Sequence, residues 1–536
     1  MIRLHQIPLG LDAARDEQAL LRAAAQRLGI SAGALQSAAL SRLSVDARDK
    51  GSVRFAATLD VRAQNAKDEK RLIARFKPNE AAVVSGESAP DAFHLPVQPY
   101  EGLRPLVVGA GPAGLFCALG LALLGAKPLL IDRGQPVERR AQDVERLEST
   151  GALDPESNVL FGEGGAGAFS DGKLTCGLNS PKIATVLQTF AACGAPGEIV
   201  YAAKPHIGTD ELRGVLKTLR ARLLELGAEI RFGCKLTGLD IQNGAVCAAM
   251  LNGERFETSA VYLAIGHSAR DTYALLHGLG VPMERKPFAV GVRVEHRQEV
   301  IDRAQYGRFA GHPALPPADY KLNVPTPDGR GAYTFCMCPG GRVINASSEP
   351  GLLNVNGMSL HARDGENANA ALLVGVAPND YPGEGPLAGV EWQRSLERAA
   401  FAAGGGGCIA PCQRVADFLA GRPTTAFGGV RPSYRPGVAP GRVDACLPDF
   451  VADNLRFALP RLGQRLRGFD DGDALLTGVE ARSSAPLRIL RGPDRQSAVR
   501  GLYPLGEGAG YAGGIMSAAV DGLSAALNES KEDKAP

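Results

Sequence analysis

The chain has 536 residues, with 59 Lys and Arg against 57 Asp and Glu, so a global basic field for nucleic acid is not expected. Its 45% hydrophobic and 22% charged content is that of a folded globular protein and excludes a disordered one. Ten cysteines are too few for a disulfide scaffold, and one Trp with 6% aromatic residues argues against a stacking platform for sugars or single strands, while 66 glycines predict many tight turns or backbone–ligand approaches.

At roughly 100–200 residues per domain, the length predicts about three domains. Residues 1–95 read as a small α+β domain. A strand is predicted over 1–7, an amphipathic helix over 16–28 closed by Gly29, and a strand over 52–61; residues 69–76 suit either strand or helix. Residues 1–80 carry 14 Lys and Arg against 9 Asp and Glu. A solvated face is the simpler reading of that excess, and an RNA or partner surface is the alternative. Asp12, Asp16 and Glu17 interrupt any secretory signal pattern, so a reducing cytoplasm with free thiols is expected. Residues 78–105 read as a linker rich in Pro, Gly and Ser.

The stretch 106–126 has no charged residue and is long enough to span a bilayer. Gly109, Gly111, Pro112, Gly114, Gly120 and Gly125 break it into strand, turn and helix, so it reads as a buried βαβ unit and not as a membrane span. The expected elements are a strand over 104–108, a helix over 113–124 and a strand over 127–132. Thr209 is expected to cap a helix over 210–226. A strand over 229–232, hairpin turns at Asn243-Gly244 and Asn252-Gly253, and a buried strand over 260–265 follow. Residues 275–470 are irregular and rich in Pro and Gly. The chain closes with a strand over 501–505, a glycine turn, a helix over 514–527 and a tail, 531–536, that is expected to be disordered.

The run Val107-Val108-Gly109-Ala110-Gly111-Pro112-Ala113-Gly114 is the dinucleotide-binding G-x-G-x-x-G. Gly109 makes the tight turn after a strand, Gly111 lets backbone approach a pyrophosphate, and Gly114 permits close packing of helix on strand. Pro112 and Ala113 open the helix, whose N-terminus offers N–H groups and a positive dipole end to phosphate. Asp132 ends the second strand about 20 residues on, where a ribose-binding acid is required. Arg133 beside it is a candidate phosphate or adenine neighbour.

Two further segments choose a flavin dinucleotide over a nicotinamide one. In 161–173, Gly164, Gly165, Ala166 and Gly167 bring bare backbone near a bulky ligand, followed by Ser170, Asp171 and Lys173 as polar groups. In 503–516, Glu507 is placed to accept from a ribityl hydroxyl, and Gly513, Gly514 and Ile515 aim a helix N-terminus at the flavin edge. Taken alone, each segment is also an ordinary glycine loop; their co-occurrence with the first motif favours the ligand reading.

With 204–210, 264–271 and 334–341, these motifs resemble the FAD-dependent oxidoreductases of the glutathione-reductase-like superfamily. They are most similar to a bacterial group of FAD-dependent proteins with an extra N-terminal domain. The resemblance spans nearly the whole chain, including Ser44-Val45-Asp46-Ala47-Arg48; Glu507 departs from it by standing where Asp is usual. It implies an α/β fold: a Rossmann-like FAD-binding domain, parallel sheet with β-meander, interrupted by an α+β substrate domain and preceded by the small N-terminal one. The implied domains are 1–95, then 96–275 and 471–530 as the two parts of the FAD domain, with 276–470 inserted between them. It also implies that 234–236 passes the adenine, with Leu236 offering backbone hydrogen bonds, and that Gly266 lets the chain cross near the pyrophosphate.

The implied chemistry is hydride transfer between flavin N5 and a small organic substrate, as dehydrogenation or double-bond saturation in preference to monooxygenation. His267 is a candidate acid/base or flavin contact, against a structural hydrogen-bonded His. Arg270 and Arg482 are candidate clamps for a substrate carboxylate or phosphate, against ordinary salt bridges. No second strand–G-x-G-x-x-G–helix occurs, so a dedicated NAD(P)H domain is not expected, and the electron partner is the substrate, a carrier protein or a nicotinamide docking without such a domain. Cys336/Cys338 and Cys408/Cys412 lack the C-x-x-C turn of zinc or Fe–S sites, and no metal is expected. Two rivals remain: a flavin–thiol oxidoreductase using Cys336/Cys338, and a flavoprotein whose basic N-terminal domain binds RNA or a protein partner.

Overall fold

In the computed structural model, residues 1–85 and 102–527 are described. Most of the expected linker and the 531–536 tail lie outside them. The N-terminal region is an antiparallel sheet in the order Leu35–Asp46, Arg54–Ala63, Ile2–Leu9, Ala81–Val83. Helix Glu17–Leu28 covers it, capped by Asp16, which accepts from the Gln18 N–H at 2.9 Å, and ended by Gly29 at φ 66°. Residues 69–76 resolve as a short helix, Glu69–Ile73. Two elements differ from expectation. Leu35–Asp46 is a strand with only partial apolar alternation, and Ala81–Val83 pairs with Ile2–Leu4 inside the expected linker. This region is not separate in its packing, because its apolar core is continuous with that of a large sheet formed by residues 288–480.

A five-stranded parallel sheet follows, in the order Leu502–Pro504, Val261–Leu263, Leu106–Val108, Leu129–Ile131, Glu229–Arg231. Its inner strands are three-residue apolar runs, buried throughout, as a parallel sheet covered on both faces requires. A meander of Leu236–Gln242, Ala245–Leu251 and Glu254–Glu257 leans on it. Its two turns place Asn243 and Gly244 at φ 52° and 72°, and Asn252 and Gly253 at φ 49° and 90°, the left-handed pair that Asn-Gly favours. Thr209 is not a cap. Gly208, at φ 86°, takes that position, and Thr209 is the first residue of helix Thr209–Glu225, its hydroxyl donating to the Ser170 carbonyl at 2.6 Å.

The second sheet has seven strands, in the order Asn323–Val324, Ala332–Cys338, Asn367–Val376, Phe288–Arg297, Leu475–Glu480, Ala410–Arg414, Val438–Pro440. Leu475–Glu480 corrects the expected boundary at 470/471. It pairs with both Phe288–Arg297 and Ala410–Arg414, so it is an interior strand of the second sheet and not part of the first. The chain enters and leaves this region through one antiparallel pair, Met283–Arg285 with Leu487–Ile489. No helix among the described residues is long and apolar enough to cross a membrane.

Helices Pro112–Leu123 and Ile515–Ala526 pack face to face behind the parallel sheet. A Cβ on Gly522 would lie 1.9 Å from the Ala113 carbonyl oxygen, whereas one on Gly214 in Thr209–Glu225 would meet nothing within 4 Å. Gly522→Ala is therefore expected to destabilise by about 1–3 kcal/mol through overpacking. Gly214→Ala is expected to be neutral or to stabilise by up to about 1 kcal/mol. Denaturant midpoints of the two variants check the contrast.

Candidate functional site

One cavity runs from the carboxyl ends of the parallel strands to the underside of the second sheet. The first glycine turn forms its floor. Gly109 has φ 103°, and a Cβ there would lie 2.3 Å from the Ala264 carbonyl oxygen. Gly114 does not reach the cavity. A Cβ on it would fall 1.7 Å from the Gly109 carbonyl oxygen, so its role is the close seating of helix on strand. Gly111, Pro112 and Ala113 do line the cavity, and the nearest atom to a Gly111 Cβ is the Gly165 Cα at 3.7 Å.

Asp132 sits at the wall with each carboxylate oxygen accepting a backbone N–H, Ala110 at 2.7 Å and Gly134 at 2.8 Å. It thus fixes the turn and keeps further lone pairs for a ligand hydroxyl. Arg133 lies over the Phe161 ring, 4.6 Å from its centroid, and pairs with Asp271 at 2.8 Å. Lys235, next to the cavity-lining Leu236, joins the same ionic cluster.

The second glycine loop is bound to the first, the Gly164 N–H donating to the Ala110 carbonyl at 2.8 Å. Gly164 itself is not exposed to the cavity; a Cβ there would press on Leu216. Gly165, Ala166 and Gly167 do face it. Fully buried Arg140 shapes this loop, donating to the carbonyls of Asn158, Val159 and Gly165, each at 2.8 Å. Ser170 closes the loop on itself, donating to the Gly167 carbonyl and accepting from the Gly172 N–H. Asp171 is not a free acid. Burial alone would lift its carboxyl, but Lys173 at 3.1 Å and Arg363, whose Nε is 3.0 Å away, hold it below the usual range.

On the third side, Gly513, Gly514 and Ile515 open helix Ile515–Ala526 onto the cavity. Gly514 has φ 145°, and neither glycine has an atom within 4 Å of where its Cβ would be; the same holds for Gly266 at φ 69°. Glu507 lies 3.3 Å from the His267 ring, and both line the cavity.

Arg270 does not line the cavity, and its reading as a substrate clamp is corrected by its partners. It donates to buried Glu397 at 2.6 Å and 3.0 Å and to Glu349 at 3.0 Å. Arg482 lines the cavity but grips the same Glu397 with two donors, at 2.6 Å and 2.8 Å, and Ser348 with a third. Burial opposes ionisation of Glu397, yet Arg482 and Arg270 hold its carboxyl down to about 2. Both guanidiniums are spent on this shared carboxylate.

Sequence reasoning did not assign Glu480, which ends a fully buried strand at the cavity wall, a lone acid in Leu-Leu-Thr-Gly-Val-Glu. Burial lifts its carboxyl to about 7; Arg293, 2.9 Å away, opposes the rise, and Cys336 adds to it. The Arg293 Nε–H is not aimed along this contact, and Glu480 Oε2 has no hydrogen-bond partner among the described residues. Asn354, Asn356, Phe335 and Cys336 complete this end of the cavity.

Residues 287–483 match a family described as "FAD-dependent protein, C-terminal domain-like", and residues 1–62 match a domain of unknown function. An uncharacterized protein of Clostridium beijerinckii is 44% identical over 528 residues, 98% of each chain. The chain belongs to the same family as this clostridial protein. The match over residues 287–483 marks it as FAD-dependent. A 12-dehydrotetracycline 5-monooxygenase/anhydrotetracycline 6-monooxygenase of Streptomyces rimosus is 29% identical over 36% of this chain and 37% of its own. A geranylgeranyl bacteriochlorophyll reductase-like structure from Thermoplasma acidophilum is 16% identical, covers 79% of this chain and 76% of its own, and has a TM-score of 0.35. The cavity suits FAD: Gly111, Gly266, Gly513 and Gly514 leave backbone bare where side chains would intrude, and two helix N-termini face it.

Two predictions follow from the charges. Glu397→Ala strands two buried guanidiniums and is expected to cost about 3–5 kcal/mol in chemical denaturation. Glu480 binds a proton in the folded chain that the unfolded chain, near its ordinary 4.5, has released by pH 7. Its contribution to stability is therefore full below about pH 4.5 and lost as pH rises through about 7. Glu480→Gln is expected to flatten that fall, read from denaturant midpoints at pH 5 and pH 8.

Proposed function

We propose that the protein moves a hydride between bound FAD and a small organic substrate held between Asn356 and Glu480 under the second sheet, as a dehydrogenase or double-bond reductase. FAD, when bound, supplies a two-electron acceptor or donor. The observation that carries the reading is Glu480: a carboxyl lifted to about 7 at the wall of a glycine-lined cavity. A dehydrogenation releases a proton as well as a hydride, and an acid near neutral pH both accepts and returns one. Burial raises it there, Arg293 on the adjoining strand opposes the rise, Cys336 adds to it, and Tyr333 lies close enough to feel its charge. Asn356 accepts from Arg293 at 2.8 Å, which fixes its amide beside the carboxyl. Glu507 and His267 serve as polar contacts for the ribityl and ring edge, Asp132 for the adenosine ribose, and the 109–114 turn for the pyrophosphate. The substrate or a carrier protein is the electron partner, and the fold is read as glutathione-reductase-like.

Oxygen insertion is the second reading, motivated by the printed activity of the Streptomyces relative over 36% of this chain. The deciding experiment is anaerobic bleaching of the bound flavin by pooled metabolites, followed by product analysis in labelled oxygen. Bleaching by substrate alone supports hydride transfer, whereas label found only in a hydroxylated product overturns it. Gly111→Val is expected to keep the fold, since a Cβ there meets nothing closer than 3.7 Å, yet to weaken FAD retention by at least about tenfold, read by flavin absorbance per chain.

A further inference from the structure

Cys336 and Cys338 stand in strand Ala332–Cys338, where alternate residues normally lie about 6.4–6.8 Å apart, at the outer limit of disulfide reach. The strand is not regular there. Between the pairs Phe335–Ala371 and Cys338–Asn369 it advances three residues against two, and Cys336 adopts φ 43°. Such a bulge bends the strand and re-aims the extra side chain. The Cys338 Sγ comes to 3.4 Å from the Cys336 carbonyl oxygen, and both residues are free thiols.

The surroundings divide the two. Cys336 is half-buried and lines the cavity, whereas Cys338 is fully buried behind it. Lys173 donates to the Met337 carbonyl between them, and Arg293 donates to the Cys336 carbonyl at 2.8 Å. The adjacent Cys338 thiol, followed by the charges of Lys173 and Arg293, brings the Cys336 thiol below its ordinary value, against the opposing effects of its burial and Asp171. The Cys338 thiol is pushed up, first by the adjacent Cys336 and then by burial. Glu480, separated from Cys336 by two strands of the same sheet, lines the same cavity and feels the charge of Cys336.

We propose that Cys336 and Cys338 are a redox-active dithiol opening on the cavity, with Cys336 as the attacking sulfur, Cys338 as the resolving one, and a low-molecular-weight disulfide as the partner. This goes beyond hydride transfer, and neither thiol needs the flavin for it. The Cys336 thiolate attacks one sulfur of R–S–S–R, forming a mixed disulfide and expelling RS⁻, which takes a proton from water. Cys338 then attacks the Cys336 Sγ and expels the second RS⁻, to which the Cys338 proton passes. Two electrons leave the pair; the products are the Cys336–Cys338 disulfide and two RSH. Cys336 is half-buried in the cavity wall, which favours a small disulfide over one held in a folded protein.

The test uses full-length, FAD-loaded protein equilibrated with oxidised and reduced glutathione at graded ratios, quenched with acid and maleimide, and mapped by peptide mass. The expected result is a Cys336–Cys338 disulfide that forms and reverses with the ratio, while half-buried Cys247 reports non-specific reaction. Two thiols at every ratio, or a glutathione adduct on Cys336 that never closes, overturns the proposal. A second readout is the pH profile of iodoacetamide labelling at Cys336. Half-maximal labelling well below the pH of an ordinary thiol is expected, with Cys338→Ala slowing labelling at pH 6 about tenfold and Cys338→Ser, which keeps a donor, recovering most of the rate. A profile rising only at the pH of an ordinary thiol overturns the proposal, and both wild-type readouts stand if a variant fails to fold.

Discussion

Close approach of bare backbone is the constraint on which the rest depends. Gly109 lies against the Ala264 carbonyl, Gly114 against Gly109, Gly508 against Gly266 and Gly522 against Ala113, each too near for a side chain on the glycine. These contacts bring the carboxyl ends of three parallel strands and the N-termini of two helices to one place. Their oriented N–H groups make that place suited to an anionic dinucleotide before any charged side chain is counted. The few charges near it are mostly committed to one another, so the cavity's electrostatics come largely from fixed dipoles and from a small number of uncommitted groups.

Charge pairing then joins the halves. Glu397, from helix Ala388–Ala403, is held by Arg270 beyond the parallel sheet and by Arg482 at the end of the second sheet. Asp171, after the second glycine loop, is held by Arg363 of the other half. Buried pairs of this kind contribute little net stability when complete and cost much when broken. They act here as registration pins, setting where the second sheet stands over the first. That placement delivers Glu480 and Cys336 to the cavity wall.

Short-range signals were the legible part of the sequence. The 109–114 turn, the Asn-Gly hairpins and the Gly29 helix end are decided within a few residues by φ preferences and steric limits. Thr209 misled because a flexible Gly208 took the cap and left the hydroxyl free to bond Ser170. The seven-stranded sheet was not legible: its order interleaves strands from 288 to 480, and the pairing of Leu475–Glu480 depends on partners far away in sequence. Arg270 and Arg482 invited a clamp reading for the same reason, since their shared carboxylate is 127 and 85 residues distant. Glu480 carries no local motif; only its burial beside Arg293 marks it.

The ribbon formed by Met283–Arg285 and Leu487–Ile489 has a consequence for descent. Both ends of the intervening chain leave the dinucleotide half side by side, so the whole segment is attached like a cassette on one clip. Exchange of that cassette leaves the parallel sheet unbroken, and a lineage can change what reaches the flavin while inheriting the grip on it intact.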